Sequence, residues 1–139
     1  MLKHILLPVD LTDKHQKAVA AAAALAEQFG AEVTLLHVVE LIPGIAAEEE
    51  KDFYKRLERI ARKHLERFSV GLTERQVTCR GEVLLGNRTV EVLRHARERG
   101  VDLIILTAPQ VTPANPAAGW GSLSYKVGAL AACPVLLVK

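Results

Sequence analysis

The sequence predicts an α/β fold: one domain built on an open, parallel, five-stranded sheet with helices on both faces. Two observations carry this. Short runs of branched apolar residues alternate with segments of helical periodicity, in the order β-α-β-α-β-α-β-α-β, which calls for a parallel sheet covered on both sides. The runs themselves are apolar throughout rather than alternating, as expected for strands buried on both faces. A chain of 139 residues is long enough to bury roughly 70% of its unfolded surface in a single core.

Residues 5–9 form the first run, which ends before Asp10. Thr12 is placed to cap a helix that carries Ala18, Val19, Ala22, Leu25, Ala26 and Phe29 on one side, and Gly30 is placed to close it at C′. Residues 33–39 are the second strand. A long amphipathic helix follows, opening with Glu48-Glu49-Glu50 and closing with Arg62-Lys63 and Arg67, so its charges suit the helix dipole. Phe53, Leu57, Ile60, His64 and Phe68 recur in it at helical spacing, and Asp52–Arg56 and Glu58–Arg62 are favourable i,i+4 pairs. Residues 77–84 read as a half-polar strand near an edge. Residues 89–99 read as a helix ended by Gly100, and residues 103–106 as a fourth buried strand. A loop over 108–121, a short helix over 122–132 and a last strand Val135–Val138 complete the chain. No internal repeat, low-complexity tract or linker divides residues 1–139.

Composition excludes several classes. Half the residues are apolar and 24% are charged, which rules out a disordered or collagen-like chain. A formal charge of +2 is too small to argue for a nucleic-acid or anionic-membrane partner. Cys79 and Cys133 match neither a CxxC redox pair nor a zinc site and are expected to be buried, reduced thiols. Residues 1–8 lack the apolar core of a signal peptide, and the longest apolar runs, 18–26 and 127–138, are too short to span a bilayer. These features predict a cytoplasmic protein.

The chain lacks GxGxxG after its first strand, GxxxxGK[ST] anywhere, and a GxSxG elbow, since Gly119-Trp120-Gly121-Ser122-Leu123 does not fit one. A phosphorelay receiver is also disfavoured, because the third strand ends in Leu84-Leu85 without an acceptor aspartate. His4 and His37 fall at opposite ends of the sheet, and His15, His64 and His95 are scattered on helices, so no metal site is expected. Arg88, Arg94, Arg97 and Arg99 are interspersed with Glu91 and Glu98 and read as a solvated helix face.

In open parallel sheets, ligands bind beyond the carboxyl ends of the strands where strand order reverses. That rule points to Asp10, which either turns the chain into its first helix or contacts a ligand. It also points to Gly121-Ser122 ahead of the last helix, which is either an ordinary serine cap or a phosphate site.

Taken in order, several stretches together resemble the universal stress protein family over the whole chain. They are residues 3–10 (KHILLPVD), residues 33–39 (VTLLHVV), Gly86, residues 101–105 (VDLII), Gly121-Ser122 and residues 133–138 (CPVLLV). The resemblance implies a Rossmann-like sheet of order 3-2-1-4-5, with the crevice between the first and fourth strands. It implies a nucleotide site in which Pro8, Val9, Asp10 and Val38 meet adenosine, with Gly121 and Ser122 at the phosphates. The family's phosphate loop, G-x2-G-x9-G-[ST], is altered here. Thr107 and Gln110 stand at its first two glycines, and Gly121-Ser122 arrives one residue late. Pro109, Pro113 and Pro116 lack amide hydrogens, and Thr107, Val111 and Thr112 resist positive φ.

The expectation is therefore a non-catalytic stress-response or regulatory module that binds ATP weakly or not at all, with ATP or AMP as the candidate ligands. The alternatives are an adenine-nucleotide sensor and a slow ATP hydrolase using Ser122 and Asp10. The resemblance also implies a homodimer through Val135, Leu136, Leu137 and Val138, an apolar edge that is a pairing template unless covered. Trp120 is expected to pack against its own sheet or the partner rather than on a base.

Overall fold

The structure is a computed structural model that describes residues 2–45, 48–110, 113–115 and 121–139. Its strands are β1 (His4–Pro8), β2 (Glu32–Glu40), β3 (Cys79–Gly86), β4 (Leu103–Thr107) and β5 (Val135–Val138). Its helices are α1 (Gln16–Phe29), α2 (Lys51–Thr73), α3 (Arg88–Glu98) and α4 (Leu123–Leu130). All strand pairs are parallel and the order is β3-β2-β1-β4-β5, as the resemblance implied.

Alternation along the central strands divides the core in two. Ile5, Leu7, Val33, Leu35 and Ile105 pack on one face with Ala18, Ala22 and Ala26 of α1 and with Leu65 and Leu72 of α2. Leu6, Leu36, Val38, Ile104 and Leu106 pack on the other with Val92 and Ala96 of α3 and Val127 of α4. At the amino end of the sheet, Asp102 Oδ2 accepts the backbone N–H groups of Lys3 (2.8 Å) and His4 (2.9 Å), fastening β1 to the chain entering β4. Gly30 closes α1 at φ 67°, its N–H donating to the carbonyl of Ala26. That left-handed geometry is the reason a glycine stands there.

Three local expectations are corrected. Thr12 does not cap α1: a 3-10 turn, Asp13–His15, intervenes, and the Thr12 hydroxyl donates to Asp10 instead. Helix α2 begins at Lys51, with Glu48, Glu49 and Glu50 in a turn ahead of it. Its buried stripe is Tyr54, Ala61, Leu65 and Leu72, whereas Ile60 is 49% exposed and Phe53, Leu57, His64 and Phe68 form the half-buried shoulder. Ala61 is fully buried near the middle of this stripe, and at its start the Tyr54 hydroxyl accepts the N–H of Ile42 beyond β2 (2.9 Å). Finally, Cys79 and Cys133 are free thiols but only half-buried, and burial pushes the Cys79 thiol up to about 11. Among the described residues, no helix is long and apolar enough to cross a membrane.

Candidate functional site

Helices α1 and α2 lie on one face of the sheet and α3 and α4 on the other, so the chain leaves β1 and β4 in opposite directions. A crevice opens between the two strand ends, as sheet topology requires. It encloses a cavity of about 220 Å³. Pro8, Val9 and Asp10 form its β1 wall, Val38 its β2 side, and Leu106, Thr107, Ala108 and Pro109 its β4 wall, with Ser122 at the head of α4. Five of the six residues expected to form a site therefore share one cavity. Gly121 adjoins Ser122 but does not line the cavity, and an added Cβ there would meet no atom of the described residues within 4 Å. Gln110 is exposed and outside the lining. Val111, Thr112, Pro116, Gly119 and Trp120 lie outside the described residues.

Asp10 is the most heavily engaged group. Its Oδ1 accepts the backbone N–H of Thr12 (2.9 Å) and the Thr12 hydroxyl, and stands 2.8 Å from His15 Nε2; its Oδ2 pairs with Lys14 Nζ at 3.1 Å. Burial works to raise its pKa, but the Thr12 hydroxyl and amide, His15 and Lys14 together hold the carboxyl well below the usual range. Asp10 is both part of the turn towards α1 and a wall of the cavity.

Three residues here escaped the sequence reading. His15 is 5% exposed and bridges the strand ends, with Nδ1 lying 2.7 Å from Thr107 Oγ1. Lys14 and Arg88 supply positive charge at the rim, and Arg88, exposed as expected, pairs through Nε with Glu40 Oε1 at 2.7 Å. Lys14 was within reach of the sequence, being four residues beyond Asp10. The His15–Thr107 contact, 92 residues apart, carried no local signal. His37 Nδ1–H donates to the carbonyl of Val9 (2.9 Å), fixing the chain where it leaves β1. Ser122 caps α4, its Oγ accepting the N–H of Tyr125 (3.1 Å), and Ser124 Oγ–H donates to the carbonyl of Thr107 (3.1 Å).

A second polar cluster lies at the opposite end of the sheet. His4 Nε2 is 2.8 Å from Thr34 Oγ1, and buried His95 faces Glu82 through Nδ1 at 3.3 Å while its Nε2 has no hydrogen-bond partner. Among the described residues no group of three or more His, Cys, Asp or Glu is placed to hold a metal ion. Burial, aided by Arg99 and His4, lowers the His95 pKa against the opposing pull of Glu82 and Glu98. A histidine kept neutral in the fold contributes stability above the ordinary imidazole value of about 6.5, and that stability is lost as pH falls below it. His95→Phe should therefore flatten the decline in urea midpoint between pH 7 and pH 5. An unchanged decline would show that other groups cause it.

Over residues 1–139 the chain matches the universal stress protein family. A universal stress protein of Thermus aquaticus, encoded in the QAH/OAS sulfhydrylase 3′ region, is 34% identical over 142 residues, covering 100% of both chains. The solved structure of the protein MJ0577 superposes with a TM-score of 0.85 at 27% identity, over 100% of this chain and 96% of that one. A universal stress protein from Archaeoglobus fulgidus, solved in complex with dAMP, superposes with a TM-score of 0.72 at 17% identity over 100% of both chains.

Proposed function

The chain belongs to the universal stress protein family, and on that premise we propose that it is a cytoplasmic, non-catalytic stress-response module. Its crevice takes the adenosine part of an adenine ligand and holds a triphosphate weakly or not at all. Pro8, Val9, Asp10 and Val38 are the residues assigned to adenosine, with Gly121 and Ser122 at the far end. The dAMP held by the Archaeoglobus fulgidus relative supports a purine nucleotide class.

The observation that carries the reading is the state of Thr107. At the end of β4, where the family pattern has its first glycine, a branched side chain stands hydrogen-bonded to His15. Backbone amides cannot gather around a phosphate there without displacing it. Each charge-assisted hydrogen bond contributes about 1.5–3 kcal/mol. Losing two or three lowers triphosphate affinity by several powers of ten. The cations of the cavity are paired already, Lys14 with Asp10 and Arg88 with Glu40. The same pairing speaks against a hydrolase: both oxygens of Asp10 are engaged, and Ser122 Oγ is an N-cap acceptor.

Isothermal titration with Mg-ATP and adenosine, together with a phosphate-release assay, tests this. Adenosine should bind and Mg-ATP should bind at least tenfold more weakly, without turnover. Micromolar Mg-ATP binding lost on Ser122→Ala, or phosphate release abolished by Asp10→Asn, overturns the proposal.

The proposal includes a homodimer paired through β5. Leu136 and Leu137 are 39% and 43% exposed on an outer strand that bears no charge within Val135–Val138. An apolar, uncovered edge of this kind recruits another strand.

A further inference from the structure

The imidazole of His15 decides what the crevice offers a ligand. Nε2 stands 2.8 Å from Asp10 Oδ1 and Nδ1 2.7 Å from Thr107 Oγ1. In the neutral imidazole two tautomers are conceivable. With the proton on Nδ1, the bare Nε2 would accept the backbone N–H of Asp10 (3.1 Å), but its lone pair would also face an ionised carboxylate oxygen. With the proton on Nε2, that repulsion becomes a charge-assisted hydrogen bond, about twice as strong as the neutral one given up. The proton therefore belongs on Nε2. Nδ1 then carries the lone pair, and the Thr107 hydroxyl must donate its hydrogen to it. Only oxygen lone pairs of that hydroxyl remain for the cavity.

The two residues that follow extend the pattern. The N–H of Ala108 donates to the carbonyl of Val138 (2.8 Å), and Pro109 has no N–H. From the Thr107 side chain through Pro109, the β4 wall thus turns no hydrogen-bond donor toward the crevice. A phosphate group needs donors, whereas the hydroxyls of a ribose can supply them.

We infer that Thr107, held by His15, is a specificity-determining acceptor that makes the crevice select a neutral ribonucleoside, whose sugar hydroxyls donate, over its 5′-phosphorylated forms. This rests on the reading of the crevice as an adenosine site, and deepens it. Lys14 and Arg88 pair with Asp10 and Glu40 at the exposed rim, where such pairs contribute little, so the AMP titration reads the preference against their charge.

Titrations of adenosine, 2′,3′-dideoxyadenosine and AMP into the wild type and Thr107→Val test the contact. In the wild type, adenosine should bind about three- to tenfold more tightly than the dideoxy compound, the span expected of one neutral hydrogen bond. Adenosine should also bind more tightly than AMP. In Thr107→Val the advantage of adenosine over the dideoxy compound should vanish. An advantage that survives Thr107→Val, or AMP binding more tightly than adenosine to the wild type, overturns the selection by Thr107 while leaving the adenosine site standing. Wild-type protein that binds none of the three overturns both. Should Thr107→Val fail to fold, ¹⁵N NMR of His15 in the wild type still decides. A protonated Nε2 and a bare, hydrogen-bonded Nδ1 are expected, and the reverse tautomer sinks the inference.

Discussion

Ile104→Ala should lower the stability of this fold by about 3–4 kcal/mol, in the upper part of the range for truncating a buried isoleucine. Ile104 is fully buried in β4, opposite Leu6 of β1 and Val135 of β5, and packs in the cluster that includes Leu36, Val92 and Val127. Strands flanked on both sides cannot move inward to fill the space left by the lost carbons, so most of the cavity remains. The check is urea unfolding followed by circular dichroism, where the midpoint should fall with the slope unchanged. Ile60→Ala is the matching control. Its side chain is half exposed on α2, and its loss should change stability by no more than about 0.5 kcal/mol. Equal losses at the two positions would mean that α2 is rotated relative to the arrangement described above.

The second large effect is expected in assembly. In a parallel ladder, alternate residues of a strand turn their backbone groups to opposite sides. The carbonyls of Pro134 and Val138 accept from Ile104 and Ala108, so Pro134, Leu136 and Val138 face β4, whereas Val135 and Leu137 turn their backbone outward. Leu137→Pro therefore removes an outward N–H and leaves the ladder to β4 intact. It should convert a dimer into a folded monomer, read as a halved mass by light scattering at micromolar concentration with an unchanged circular dichroism spectrum. Wild-type protein that is already monomeric, or a variant that stays dimeric, counts decisively against pairing through β5.

Much of the architecture was legible in the sequence because strand runs such as residues 33–39 are buried on both faces and glycines stand where helices end. Strand order was not legible from pattern alone. It came from the family resemblance, since nothing in the composition of β3 or β5 says which edge each one takes. The stripe of α2 was misphased for a definite reason. Phe53, Leu57 and Ile60 carry more apolar surface than Ala61 and so dominate the pattern, yet Ala61 is fully buried and Ile60 half exposed. Within the cavity lining, Asp10 and Ser122 were legible because strand ends and helix caps are local features, whereas Pro8, Val9 and Val38 came with the family resemblance. His15 was passed over as one of several scattered histidines, because its meaning depends on Thr107 arriving from the far end of the chain.

The fastening of Lys3 and His4 by Asp102 has a bearing on how this chain comes off the ribosome. Strand β1 is synthesised first but sits in the middle of the finished sheet, and its second neighbour is made about a hundred residues later. Until β4 emerges, one edge of β1 stays open, and β1, β2 and β3 form part of a sheet, one face of which still lacks α4. Closing so long a loop is slow, and the waiting part is exposed to association with other nascent chains. In the closed sheet Asp102 takes up the amides of Lys3 and His4, a contact that exists only once β4 is in place.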